Sequence, residues 1–157
     1  MLNDFPFRQA EPTDAESIAA IVNAAFSVER FFIDGDRTNP DHIQSLLQTG
    51  LFLLAEENGQ LHGCVYVELR GERGYFGLLA IDPARQKTGL GKRLVLAAEA
   101  YCRAAGCRTM DLQIVNVRAE LPGFYQRLGY CETDTASFVS LNQPKVPCHF
   151  VKMSKPL

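Results

Sequence analysis

The 157-residue sequence predicts an α/β fold of the α+β kind: a mixed, mostly antiparallel central sheet flanked by helices, in the order β-αα-βββ-α-β-α-ββ. Three observations predict it. Apolar residues recur at helical spacing in four segments, and β-favouring runs separate them. Asn58-Gly59 stands between two such runs and marks a two-residue hairpin turn. A basic, glycine-bearing stretch, "RQKTGLGKRL", follows a buried strand and opens the strongest helical pattern.

The elements follow in order. "FPFRQA" reads as a short first strand, and "EPTDAESIAAIVNAAF" as a helix with Thr13 as N-cap and Glu16 completing a capping box. Ile18, Ile21, Val22 and Ala25 share its apolar face. A second helix begins at Asn39, its N-cap, with Pro40 in the first turn, where a missing N–H costs nothing. Ile43, Leu46 and Leu47 form its apolar face and Gly50 its stop. "LFLLAEENGQLHGCVYVEL" is the hairpin, "RGERG" a looser turn, and "YFGLLAI" a buried strand ending at Asp82-Pro83. The next helix carries Leu90, Leu94, Ala97, Ala98, Tyr101 and Ala105 on one face. "TMDLQIV" is a strand, "LPGFYQRLGY" a short helix, and "ETDTASFV" and "CHFVKM" mark the last two strands.

Composition narrows the function. The length suits one domain, and no composition shift divides residues 1–157. A formal net charge of -2 argues against a nucleic-acid surface, so a basic loop points to a local anion site. Five cysteines without a CxxC pair and three scattered histidines argue against a metal. Reduced thiols and a polar "MLNDFPFRQA" give the expectation of a cytoplasmic protein. No apolar run approaches the ~18 residues of a membrane span.

Two common phosphate motifs fail on the basic loop. A P-loop requires glycine where Gln86 stands, and Ser or Thr where Arg93 stands. A dinucleotide fingerprint requires a third glycine where Leu94 stands. Gly89 and Gly91 still allow close backbone approach, and the free N–H groups of a helix start favour an anion. A tight turn with solvated bases would look the same by itself.

The wider pattern resembles the GNAT superfamily of acyl-CoA N-acyltransferases. In "LLAIDPARQKTGLGKRLVLAAEAYCRAAG", Gln86, Gly89 and Gly91 fill that family's motif A, [QR]-x-x-G-x-[GA]. "NVRAELPGFYQRLGY" is similar to motif B, and the element order matches over nearly the whole chain. The resemblance implies one N-acetyltransferase domain using acetyl-CoA or coenzyme A as cosubstrate, with no metal. It implies that the pyrophosphate lies against Gln86, Lys87, Thr88, Gly89, Leu90, Gly91 and Lys92. The pantetheine arm would lie along the main chain of Leu79, Ala80 and Ile81, where this strand splays from the one carrying Asp111 to Val115. Asn116 resembles the family asparagine that contacts the pantetheine, and Tyr125 the family tyrosine that protonates the departing thiolate. Asn116 could equally cap a turn, and Tyr125 could be a core residue.

Two departures stand out. Asn116 and Tyr125 are two residues further apart than in many relatives, with Pro122-Gly123 in the extra length. "YFGLLAI" also lacks the carboxylate that some relatives use as base. Glu29 and Glu120 are the nearest substitutes, with water as the third option, and Glu29 is preferred because its loop should border the acceptor pocket. Phe31, Phe32, Arg37 and Arg118 are the other acceptor-side candidates, and arginines beside a carboxylate suit a small zwitterion or related amine. The expectation is direct transfer to a primary amine of a small molecule, without a cysteine nucleophile. Nucleic acid and membrane are not expected partners; family habit offers a homodimer. The competing readings are a non-catalytic acyl-CoA-binding module and a nucleotide-binding regulatory domain.

Overall fold

The computed structural model describes residues 7–157. Phe5 and Pro6, the start of the expected first strand, lie outside the described residues. Among the described residues, seven strands form one sheet: β1 (Phe7–Gln9), β2 (Leu51–Glu57), β3 (Gln60–Arg70), β4 (Arg73–Ile81), β5 (Thr109–Val115), β6 (Cys131–Ser137) and β7 (His149–Pro156). Their order in space is β1-β2-β3-β4-β5-β7-β6. Every neighbouring pair is antiparallel except β4 and β5. Four helices flank the sheet: α1 (Ala15–Ala25), α2 (Pro40–Leu46), α3 (Leu90–Ala104) and α4 (Leu121–Arg127). Among the described residues, no helix is long and apolar enough to cross a membrane.

Strand alternation sends side chains to two apolar layers. Ile18 and Val22 of α1 and Ile43 of α2 pack with Cys64 and Tyr66 of β3. On the opposite face, Leu94, Val95, Ala98 and Cys102 of α3 pack with Val65, Val67, Phe76 and Met110. The β2–β3 hairpin turns at Asn58 (φ 54°) and Gly59 (φ 76°), the paired left-handed conformation that Asn-Gly favours.

Two local expectations are corrected. Thr13 does not cap α1: Pro12–Asp14 forms a 3-10 turn ahead of it, and the Glu11 N–H donates to the Asp14 carboxylate at 2.7 Å. Pro12 in the first turn moves the chain entry two residues upstream of the expected cap. The buried face of α3 also includes Val95, Glu99 and Cys102, whereas Ala105 lies past the helix end. Glu99 is buried because the Tyr130 hydroxyl donates to it at 2.8 Å and Lys155 Nζ lies 3.0 Å away. Asn39 caps α2 as expected, accepting from the His42 N–H at 2.8 Å.

The sheet opens at its centre. β4 and β5 pair only at Arg73–Thr109, Gly74–Met110 and Tyr75–Asp111, then separate, as the family resemblance implied. Within β4 the register against β3 shifts between Cys64–Ala80 and Tyr66–Gly77, and Leu78 adopts φ 48°. This bulge reverses the alternation: Tyr75, Leu78 and Ala80 face the α1–α2 layer, while Phe76, Leu79 and Ile81 face α3.

Candidate active site

The separation of β4 from β5 leaves a groove of about 1270 Å³. That exceeds the ~300–1,000 Å³ of an ordinary small-ligand cleft, so it has room for two reactants. One end runs along Leu79 and Ile81 to the basic loop; the other reaches Phe26, Glu29, Arg37, Glu68 and Tyr75. Tyr125 also lines it, and Arg118 lines it beside Glu29.

The basic loop is built to present backbone donors. Asp82 accepts from the Ala84 N–H at 3.0 Å, and the Thr88 hydroxyl donates to the Arg85 carbonyl at 2.6 Å, which curls the chain before α3. Lys87 is held at φ 65°, a costly conformation for a residue with a Cβ. Gly89 caps α3 at φ 85°, and a Cβ there would meet nothing within 4 Å. Arg93 makes the first helical bond, to the Gly89 carbonyl, so the N–H groups of Leu90, Gly91 and Lys92 have no acceptor in the helix. Gln86, Lys87, Gly89, Leu90, Gly91 and Lys92 all line the groove, joined by Arg85. Open donors, positive side chains and an unobstructed glycine fit an extended, phosphate-bearing cosubstrate. Thr88 and Ala80 do not line the groove; Ala80 packs against Cys64 and Ile43 on the α1–α2 side.

Tyr125 is 7% exposed, with the Phe76 ring 6.0 Å away, Phe124 5.0 Å and Tyr130 6.1 Å. Its hydroxyl makes no hydrogen bond with another described residue. Burial pushes its pKa well above the usual tyrosine value, against the opposing charge of Arg118. It therefore keeps its proton at neutral pH, as a proton donor must.

Asn116 is placed differently from its expected role. Its side-chain oxygen accepts from the His149 N–H at 2.8 Å, and its own N–H donates to the His149 carbonyl at 2.9 Å. The asparagine thus fastens the end of β5 to the start of β7 and stands outside the groove lining.

Glu29 is no solvated loop carboxylate. It sits in a 3-10 turn after α1 (Phe26–Phe31) and is 7% exposed. Arg118 Nη1 donates to it at 2.9 Å, and Arg118 Nε donates to Glu120 at 3.3 Å. Burial raises the Glu29 pKa above its ordinary value, although Arg118, and more weakly Arg37, act the other way. Phe31 and Phe32 do not join the site. Phe31 is 60% exposed, and Phe32 is fully buried against Ile33 and Val115.

The sequence reading missed Glu68. It lies on β3 opposite Tyr75, lines the groove, and is bound by the Tyr66 hydroxyl at 2.6 Å and Arg70 Nε at 2.7 Å. The Arg70 hydrogen bond holds it below the usual carboxylate range. Alternation could have found it, since Cys64, Tyr66, Glu68 and Arg70 share one face of β3. Burial lifts the Cys64 and Cys102 thiols to about 12, so neither is a thiolate at neutral pH.

The groove thus runs where β4 and β5 part, over a glycine-mounted helix start and past a protonated tyrosine. The Acetyltransferase (GNAT) family model matches residues 16–130. Solved structures agree in fold. The ribosomal-protein-S18-alanine N-acetyltransferase from Escherichia coli superposes with TM-score 0.77 at 17% identity, covering 96% of this chain and 92% of that one. PaiA N-acetyltransferase from Thermoplasma acidophilum, in complex with coenzyme A, gives 0.76 at 16% identity, covering 97% and 98%. YncA from Salmonella typhimurium, with its cofactor acetyl-CoA, gives 0.73 at 21% identity, covering 97% and 93%. The chain belongs to the GNAT family of acetyltransferases and is an acyltransferase.

Proposed function

We propose that the protein transfers an acetyl group from acetyl-CoA directly to a primary amine of a small molecule. The observation that carries this reading is the continuity of one groove from the α3 N-terminus, past Tyr125, to Glu29. Gln86 and the loop from Lys87 to Lys92 would hold the pyrophosphate, with Leu79 and Ile81 alongside the pantetheine. When bound, acetyl-CoA supplies an activated thioester, so no acyl-enzyme is needed.

This chain's own residues handle two protons. A lysine-like amine has a pKa near 10.4, so only about one molecule in 10³ is uncharged at pH 7. Glu29, directly or through water, accepts the proton that the amine must shed. As the new C–N bond forms and the C–S bond breaks, the thiolate takes the Tyr125 hydroxyl proton, and the second proton shed by the acylated nitrogen restores the tyrosine. Glu68, fixed by Arg70 and Tyr66, is the weaker base and better suited to attracting a cationic amine to the groove.

The test is thiol release from acetyl-CoA across a panel of small primary amines and peptides. Amine-dependent release with acetylated small-molecule product supports the reading. Acetylation of peptides alone contradicts its small-molecule part.

A further inference from the structure

Resting on the acetyl-transfer reading above, we propose that the acceptor is a zwitterion, a small amine that also carries a carboxylate, and that Arg37 holds the carboxylate.

The acceptor end of the groove has an uneven distribution of charge. The carboxylates of the groove are Glu29, Glu68 and Glu120, accompanied by the guanidiniums of Arg37, Arg70 and Arg118; Arg85, on the basic loop, and Arg127, at the end of α4, also line the groove. Glu68 and Arg70 satisfy each other at 2.7 Å, and the Arg70 guanidinium lies 4.1 Å over the Tyr75 ring. Arg118 serves two carboxylates, Glu29 at 2.9 Å and Glu120 at 3.3 Å, which leaves one negative charge in excess there. Arg37 makes no ion pair among the described residues; its guanidinium lies 5.6 Å over the Phe26 ring. The acceptor end is therefore dipolar. A ligand with an ammonium toward Glu29 and an anion toward Arg37 completes it.

The mount of Arg37 is rigid. The next residue, Thr38, is 1% exposed, and Asn23 of α1 clamps it twice: its N–H donates to Asn23 Oδ1, and its carbonyl accepts from Asn23 Nδ2, both at 3.0 Å. The Thr38 hydroxyl lies 2.7 Å from His42 Nδ1, which ties the same point to α2. A guanidinium stacked on an aromatic ring, on a backbone held from two helices, is preorganised to bind a planar carboxylate. A peptide N-terminus meets this site less well, because its amine and nearest free carboxylate are separated by the chain.

The experiment compares L-amino acids with their carboxamides and with the amines left by decarboxylation, each with acetyl-CoA, reading thiol release. Calorimetric binding of coenzyme A serves as a check that each variant is folded. The amino acids are expected to exceed their matched analogues in kcat/KM by about tenfold or more, mainly through KM. That ratio should fall toward one in Arg37→Ala and recover in part in Arg37→Lys. Carboxamides or decarboxylated amines that match or exceed the amino acids overturn the zwitterion inference while upholding acetyl transfer. A ratio unchanged in Arg37→Ala overturns the assignment of Arg37. Coenzyme A binding without acceptor-dependent thiol release from any of them overturns both this inference and the small-molecule reading.

Discussion

Arg118 Nη1 lies 2.9 Å from Glu29 Oε2, joining residues 89 positions apart across the mouth of the groove. The pair ties the turn after α1 to the segment between β5 and α4. It also offsets part of the burial that raises the proton affinity of Glu29, the carboxylate proposed as acceptor base.

Glu29 titrates above its ordinary value because burial disfavours its charge. As the acceptor base it must be ionised, so kcat/KM should rise with pH through an acidic limb displaced above the usual glutamate range. Glu29→Gln should remove that limb and lower kcat/KM about tenfold or more. Arg118→Gln takes away a charge and a hydrogen bond that favour the carboxylate, so the limb should move to higher pH. A pH–rate profile of the three proteins checks this.

The same shift has a stability sign. A carboxyl group whose folded pKa exceeds its unfolded value binds more protons when folded, so its contribution to stability falls as pH rises from the unfolded value through the folded one. Glu29→Gln should flatten this part of the curve of stability against pH, measured by urea titration.

Tyr125→Phe removes a hydroxyl that has no hydrogen-bond partner among the described residues, so stability should change by no more than about 1 kcal/mol. Turnover should nevertheless fall about tenfold or more, with coenzyme A affinity little altered. Unchanged turnover across pH would remove Tyr125 from the role of acid.

Glu99 is 2% exposed and holds both Tyr130 and Lys155. Glu99→Ala strands a buried hydroxyl and a half-buried ammonium, and should cost about 3 kcal/mol. In a domain of this size that lowers Tm by roughly 6–12 °C. Because Tyr130 packs edge-on against Tyr125, turnover should fall as well. Thermal unfolding and thiol release check the two effects.

The sheet was legible in the sequence wherever alternation and turn chemistry agreed. Asn58-Gly59, Asn39-Pro40 and Gly89 each form the local structure their chemistry demands. What escaped depended on contacts distant in sequence. Glu29 was singled out as a base from its loop alone, and nothing near it in sequence foretells its burial against Arg118. Asn116 read as a ligand contact because its bond to His149 spans 33 positions. Phe32 read as a pocket wall, but fills a core with Val115. Glu68 was within reach of alternation along β3, but it lies one strand away from β4, where relatives place their carboxylate.

The central claim is that the α3 N-terminus binds the cosubstrate pyrophosphate, and calorimetry with coenzyme A on the native protein and Gly89→Glu tests it most directly. Gly89 has φ 85° with open space beyond it, so glutamate adds backbone strain and a negative charge where the anion would lie. The account predicts binding in the micromolar range for the native chain and its loss in the variant, while both remain folded. Equal binding by the two proteins, or none by the native one, would contradict it.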